Sequence, residues 1–195
     1  PATASAKFGS LLDKYASIGA PSSDPLFTIG SAVYGYAPKP SAANSKPADT
    51  TPPCIIPFDY MEGFMRDVLE AYGTPAEEAA VCADVLIESD KRGIDSHGIG
   101  RLKPIYCDRM DQGILKPFVP LEIISESDTT ALVDGGLGLG LYIGPKCMQM
   151  AIDKAKKHGV GFVAVQNSTH YGIAGYYATQ AADAGCVGWS GTNAR

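Results

Sequence analysis

Residues 130–166 read TALVDGGLGLGLYIGPKCMQMAIDKAKKHGVGFVAVQ, and this stretch decides the fold class. It opens with a β-like run, Thr130–Val133, and passes through a glycine-rich loop into an amphipathic helix that we expect to begin at Pro145. Gly159 is placed to end that helix, and Val160–Val165 is typical of a buried strand. Two strands joined through a helix predict a βαβ unit, whose strands are parallel neighbours.

The flanking segments extend the pattern in both directions. Leu121–Ser125 predicts a strand before the unit, and Ala174–Ala184 predicts a helix of small residues after it. Val187–Ser190 is expected to be a final strand. The sequence therefore predicts an α/β protein in which residues 114–195 hold βαβ units of a mixed sheet. Because a sheet would normally continue beyond Arg195, we expect that domain to be incomplete.

Residues 54–113 predict a helical lobe that precedes the sheet. Apolar side chains within 61–72 recur at the spacing of one helix face. The segment Thr74–Glu77 has the pattern of a capping box, with proline at the first helical position, and predicts a second helix that runs to about Lys91. A third, short helix is expected from Pro104.

Residues 1–53 differ in composition from the rest of the chain. They hold eight of its fourteen prolines and no arginine, and are too poor in apolar periodicity to build a core. Short patterns at 8–15, 26–29 and 33–36 nevertheless resemble a helical turn and two brief strands. Two interpretations stay open: an arm that contacts a partner subunit, and a disordered leader.

Composition excludes several classes of protein. A net charge of −5 without a basic stripe argues against nucleic-acid binding. No apolar run is long enough to cross a membrane. The five cysteines are scattered, without metal-ligand spacing, which predicts no metal site and a reducing compartment, either the cytoplasm or the mitochondrial matrix.

The glycine-rich loop, Asp134–Gly140, does not satisfy the G-x-G-x-x-G pattern of a Rossmann dinucleotide site. In that pattern the third glycine would stand at Leu141 or Ile143. The glycines therefore either let the backbone approach a ligand closely or form a flexible turn.

The three histidines are predicted to have different roles. His158 stands at a helix C-terminus, where its positive charge suits the helix dipole, and we expect it to be structural. His97 lies in a polar loop, and Ser96 beside it is not expected to form a triad, because adjacent side chains in an extended loop point apart. His170 directly follows a strand, where α/β sheets bind their ligands. Acid/base chemistry at His170 is favoured over a capping role.

Four motifs together resemble one family. DKRGIDSHG at 90–98, followed by Arg101, is similar to the RGIDSHG…R signature of the malate/L-lactate dehydrogenase family. The loop at 134–140 resembles its VDG…GLG segment. NSTHYG at 167–172 resembles its NSxHxG segment, and TN at 192–193 its following TN. The motifs occur in the family's order.

The resemblance implies an oxidoreductase that transfers a hydride between a small 2-hydroxyacid or 2-oxoacid and NAD or NADP, on a fold that is not of the Rossmann type. His170 matches the family's proton donor and acceptor, and a guanidinium suits the substrate carboxylate. The other implied site residues are Ser96, His97 and Arg101 on the substrate side, and Thr192 and Asn193 on the cofactor side.

The family also implies a homodimer and a longer chain, so we expect residues 1–195 alone to be inactive. Neither the particular 2-hydroxyacid nor the choice between NAD and NADP follows from the sequence. Two alternatives stay open beside the enzyme. One is a non-catalytic structural or assembly subunit descended from the family, and the other is a module that binds 2-hydroxyacids as a sensor.

Overall fold

The computed structural model describes residues 55–193, so the predicted arm at 1–53 lies outside the described residues. The helices of this part are α1 (Phe58–Ala71), α2 (Ala76–Lys91), α3 (Asp108–Asp111), α4 (Gly140–His158) and α5 (Ala174–Asp183). The strands are β1 (Glu122–Glu126), β2 (Thr130–Asp134) and β3 (Phe162–Gln166). Between α2 and α3 lie two 3₁₀ turns, Asp95–His97 and Ile99–Arg101, and a π-helical turn, Leu102–Cys107. No helix in 55–193 has the length and apolar character needed to span a membrane.

The predicted helical lobe consists of α1 packed against α2, and α2 also contacts α4. The apolar face predicted for α1 is buried, with Phe64, Met65 and Val68 almost fully enclosed. Burying one such side chain stabilises the fold by about 1.5–3 kcal/mol, so this face explains why the two helices associate. One cluster of buried side chains continues from these helices to Val133 and α4.

The capping box predicted at Thr74 is wrong. α2 begins after Pro75, and within residues 55–193 no side chain caps its N-terminus. The hydroxyl of Thr74 instead donates a hydrogen bond of 3.1 Å to the carbonyl oxygen of Pro117. Glu77 and Glu78 in the first turn stabilise the start of α2 through the helix dipole. Thr74 therefore fastens the helical lobe to the segment that leads into the sheet.

The sheet has the order β1-β2-β3 and is mixed. β1 pairs antiparallel with β2, with a β-bulge between Ile123 and Ser125. β2 pairs parallel with β3, with Thr130 opposite Phe162 and Asp134 opposite Gln166. The predicted βαβ unit is thus confirmed, and the loops that follow β2 and β3 leave the sheet at the same edge.

The crossover helix α4 begins five residues earlier than predicted, at Gly140 instead of Pro145. Proline at this depth removes one helical hydrogen bond, a cost that the buried side chains of the first turn offset. Those residues, Leu141, Tyr142 and Ile143, are almost fully buried. Gly159 ends α4 in the left-handed conformation, with φ of 87°, as predicted.

The C-terminal part of the chain differs from the prediction. β3 is not buried, since Phe162 and Val165 are largely exposed. Residues 187–190 form no strand, and Val187 and Trp189 are exposed. A strand requires a ladder partner, and residues 187–190 pair with no strand in the described part of the chain. The prediction of a final strand at Val187–Ser190 is therefore wrong, because an apolar pattern does not by itself supply a neighbouring strand.

Candidate functional site

Asp134, the last residue of β2, joins the two loops at the sheet edge. One carboxylate oxygen accepts hydrogen bonds from the Gln166 and Asn167 side-chain amides, at 2.9 and 2.6 Å. The other accepts the Gly136 N–H at 2.7 Å. These bonds, that of Gln166 first, lower the pKa of Asp134. Asp134 therefore stays ionised and holds the loop after β3 against the loop after β2.

The glycine-rich loop packs against the chain's own His170 loop. A Cβ at Gly140 would lie 2.4 Å from the carbonyl oxygen of Thr169 and 2.7 Å from that of His170. The Thr169 hydroxyl accepts the Gly140 N–H at 3.1 Å and donates to the Gly138 carbonyl at 2.8 Å. Close approach was one of the two predicted uses of these glycines. At Gly140, however, the group approached is backbone of this chain and not a ligand.

His170 is half-buried, and two groups bind its Nδ1 atom. The hydroxyl of Tyr106 lies 2.6 Å from Nδ1, and the Gly172 N–H donates to it at 3.2 Å. Burial lowers the pKa of His170 to about 4, and the neighbouring His97, Arg101 and Arg109 act in the same direction. The imidazole is therefore neutral near pH 7, and its Nε2 atom is left for another partner.

The ring of His97 stacks on that of His170, with centroids 5.5 Å apart and an angle of 26° between the planes. The prediction that Ser96 and His97 point apart is wrong. The hydroxyl of Ser96 lies 2.8 Å from His97 Nδ1. Residues 95–97 form a 3₁₀ turn, and the argument for divergent side chains applied to an extended chain. Ser96 thus orients His97 through a hydrogen bond.

Arg101 and Asp90 fix the loop that carries His97. The guanidinium of Arg101 donates to the carbonyl oxygen of Ser96, and Asp90 accepts the Ile99 N–H at 2.9 Å. A Cβ at Gly98 would lie 1.6 Å from Asp90, so only glycine fits there. Burial raises the pKa of Asp90 to about 7, and its second carboxylate oxygen has no hydrogen-bond partner in the described part of the chain. The buried carboxyl group of Asp90 therefore holds the substrate-side loop through a hydrogen bond to its backbone.

The π-helical turn places Arg101 and Tyr106 on the side of His170. In this turn the Asp108 N–H bonds to the carbonyl oxygen of Lys103, five residues earlier. Residues five apart would lie roughly 140° apart around an α-helix, but nearly above one another in this wider turn. Tyr106 consequently reaches His170 while Arg101, just before the turn, remains close enough to affect its pKa.

Tyr106 and Arg109 were not identified from the sequence. Both follow the recognised signature by a few residues, in a segment predicted only as a short helix. Tyr106 is fully buried although it carries a hydroxyl, and a buried hydroxyl requires a partner. That partner is 64 residues away in sequence. Within residues 55–193 neither Arg101 nor Arg109 forms an ion pair, and Arg101 donates to the Ser96 carbonyl oxygen.

Thr192 and Asn193, the residues predicted to face the cofactor, are exposed near the end of the described segment. The Thr192 hydroxyl donates to the carbonyl oxygen of Asn193, at 3.3 Å. Their polar side chains suit the polar groups of a dinucleotide, but no contact among residues 55–193 joins them to His170. Gly138 and Gly140 pack closely against other residues of this chain. The described residues therefore fit only a small part of a dinucleotide.

The arrangement around His170 suits proton exchange with an anionic ligand. A neutral imidazole can take a proton and, as the imidazolium, give it back, and guanidiniums bind carboxylates. Both kinds of group occur here within a half-buried region, where electrostatic interactions are stronger than in water. Among residues 55–193 no three His, Cys, Asp or Glu side chains are grouped so as to hold a metal ion.

Known proteins similar to this chain include malate and sulfolactate dehydrogenases. The chain is 49% identical over 140 residues to malate dehydrogenase of Pyrococcus abyssi, which covers 72% of this chain and 38% of the relative. It is 46% identical over 127 residues to L-sulfolactate dehydrogenase of Methanocaldococcus jannaschii, covering 65% and 37%. Malate dehydrogenase of Entamoeba histolytica superposes with a TM-score of 0.66 at 46% identity, over 67% of this chain and 36% of that structure.

The chain therefore spans less than two fifths of the length of these relatives. The family model described as malate/L-lactate dehydrogenase matches residues 56–195. That range includes every described helix and strand, and all four motifs on which the resemblance was based. The chain belongs to the malate/L-lactate dehydrogenase family.

Proposed function

We propose that the protein is a nicotinamide-dependent dehydrogenase of small 2-hydroxyacids, of the malate/lactate type, with His170 as its general acid/base. The observation that carries this proposal is the setting of His170, a neutral, half-buried imidazole bound at Nδ1, with Arg101 and Arg109 near enough to lower its pKa. Family membership supports the same reaction class, since members of the family generally use a nicotinamide cofactor.

NAD or NADP, when bound, would supply the acceptor for the hydride that leaves the carbinol carbon. This chain contributes the proton transfer. As a 2-hydroxyacid is oxidised, its hydroxyl proton passes to the His170 imidazole, and in the reverse direction His170 returns that proton to the 2-oxoacid oxygen. His97 and Ser96 form the neighbouring wall of the site, and Thr192 and Asn193 are proposed to contact the cofactor.

Arg101 is proposed to bind the substrate carboxylate. Its guanidinium has the fork geometry that a carboxylate matches with two hydrogen bonds, and Arg109 adds a second positive charge nearby. A bound carboxylate would offset the charges that lower the pKa of His170. Binding of the anionic substrate should therefore raise the pKa of His170 toward the pH at which the enzyme works, which ties proton transfer to a filled site.

Three further features remain proposals. They are the division into an arm at 1–53, a helical lobe at 54–113 and an α/β part at 114–195; a homodimer; and contact between the arm and the partner subunit. Relatives named for malate and for sulfolactate leave the particular 2-hydroxyacid open.

The proposed function is tested by His170→Ala in the protein produced with its full natural chain. Loss of a general acid/base typically lowers turnover by about 10²–10⁴-fold, whereas the dissociation constant of the cofactor should change little. The matched control is His158→Ala, because His158 lies at the C-terminus of α4 and is exposed. Turnover is followed by nicotinamide absorbance with malate, lactate and sulfolactate. Near-normal turnover of the His170→Ala protein would refute the assignment.

A further inference from the structure

Tyr106 places a polar hydroxyl group in a buried position beside His170. Tyr106 is fully buried, and in the described part of the chain the acceptor beside its hydroxyl is His170 Nδ1, at 2.6 Å. A buried hydroxyl proton without an acceptor is destabilising. The hydroxyl proton of Tyr106 is therefore best placed on the line to Nδ1, with Tyr106 as the donor.

The Gly172 N–H gives an independent reason for the same direction. A backbone N–H can only donate, and this one lies 3.2 Å from Nδ1 and also faces the Tyr106 oxygen. Gly172 has φ of 76°, a left-handed conformation that favours glycine, and a Cβ there would lie 3.0 Å from Val85. Glycine at position 172 therefore allows the backbone conformation that directs this N–H. Two donors face one ring nitrogen, and this arrangement favours the unprotonated form of Nδ1 in the ligand-free site.

We propose that Tyr106 is a positioning residue for His170: together with the Gly172 N–H it keeps Nδ1 unprotonated, so that the neutral imidazole carries its single proton on Nε2. This inference rests on the proposed function only for its kinetic consequence. The position of the proton concerns the ligand-free protein and can be measured without any reaction.

The proton position determines which substrate oxygen fits the resting site. Nε2–H can donate to the carbonyl oxygen of a 2-oxoacid, which only accepts hydrogen bonds. A 2-hydroxyacid must give its hydroxyl proton to an unprotonated Nε2, which requires the other tautomer, with the ring proton on Nδ1. In that form the Tyr106 oxygen accepts the Nδ1–H bond, because a phenol can both donate and accept. Phenylalanine could take neither role.

The proton position is measured by nitrogen NMR of protein labelled with ¹⁵N-histidine, without ligands, at pH 7. Burial, with His97, Arg101 and Arg109, keeps His170 neutral at that pH. The signals of His170 are assigned as those that disappear in His170→Asn. We expect the Nδ1 signal of His170 to be that of an unprotonated nitrogen and its Nε2 signal that of a protonated one. A protonated Nδ1 would overturn the proposal.

The contribution of Tyr106 is tested by Tyr106→Phe, which keeps the ring and removes the hydroxyl. The matched control is Tyr72→Phe, a buried tyrosine whose hydroxyl bonds to Asp111 at 3.0 Å and interacts with the Cys107 thiol. The Nδ1 signal of His170 should move in the first variant and stay in the second. An unmoved signal in Tyr106→Phe would exclude the hydrogen bond.

Kinetics separate positioning from a merely structural role. Losing one hydrogen bond that orients His170 should lower kcat by roughly 3- to 10-fold in Tyr106→Phe, with KM nearly unchanged. The Tyr72→Phe protein should retain its kcat. A moved NMR signal with unchanged kcat would refute the positioning role. The protein could also give the expected NMR result and yet oxidise no 2-hydroxyacid. That outcome would refute the proposed function, whereas the position of the proton on His170 would still be established.

Discussion

Gly140→Ala tests whether the glycine-rich loop holds His170 in place. Gly140 is the first residue of α4, where alanine is otherwise favourable by up to about 1 kcal/mol. The added Cβ would lie 2.4 Å from the carbonyl oxygen of Thr169, and 2.7 and 2.9 Å from the carbonyl oxygen and carbon of His170. All three are backbone atoms, so no side-chain rotation relieves the contact.

The size of the effect follows from these distances. Ordinary contact for a Cβ begins at 3.4 Å, so the two loops must separate by about 1 Å in the Gly140→Ala protein. Overpacking of this kind costs about 1–3 kcal/mol, against which the gain in helix propensity is small. A 1 Å displacement of a reacting group can lower the rate about 10²-fold. We therefore expect turnover to fall by one to two orders of magnitude, with a decrease in Tm of several degrees.

The matched control is Gly175→Ala, in the first turn of α5. A Cβ there meets no atom closer than 3.9 Å, so turnover and Tm should stay near their original values. The assay combines steady-state turnover of a 2-oxoacid with thermal unfolding of both variants. A Gly140→Ala protein with a lowered Tm but full turnover would refute the link to His170. An unchanged Tm would show that the loops separate without cost.

Two further substitutions test the substrate-side loop. Arg101→Lys keeps the charge but loses the two-pronged contact, so kcat/KM for the 2-hydroxyacid should fall about tenfold or more with cofactor affinity unchanged; an effect on cofactor binding alone would contradict the carboxylate role. Asp90 has a pKa of about 7 when folded, against 3.8 for a free carboxyl, so unfolding releases its proton between these values and the protein loses stability as the pH rises from about 4 to 7. Asp90→Asn cannot ionise, so its Tm relative to the natural protein should increase with pH over that window. A pH-independent difference in Tm would show that Asp90 does not titrate there.

The sequence predicts the local and repetitive parts of this fold. The period of apolar residues in α1, and the order strand, helix, strand in 130–166, depend on neighbours within one or two turns, and both are confirmed. Gly159 also ends its helix as predicted, because the left-handed conformation is a property of that single residue. Where secondary structure follows from local conformation and periodicity, sequence reasoning is sufficient.

The prediction failed where a residue's partner lies far along the chain. Thr74 has the pattern of a cap, but a carbonyl 43 residues away takes its hydroxyl. Val187–Ser190 has the composition of a strand but no ladder partner in the described residues. From the sequence, Tyr106 resembles an ordinary core residue, and the contact with His170 is what indicates a role in the site. Contacts of this kind depend on tertiary packing, which no local pattern encodes.

The π-helical turn at Leu102–Cys107 has a consequence for insertions and deletions. Removing one residue there would allow an ordinary α-helix, and each residue in an α-helix advances the chain by about 100°. Tyr106 would then rotate away from His170, even if every side chain retained its identity. Lys103 and Pro104 are exposed, and Lys103 forms an ion pair with Asp108 at 2.9 Å. This segment therefore contributes its length to the site as well as the Tyr106 side chain, because one residue fewer would turn that hydroxyl away from His170.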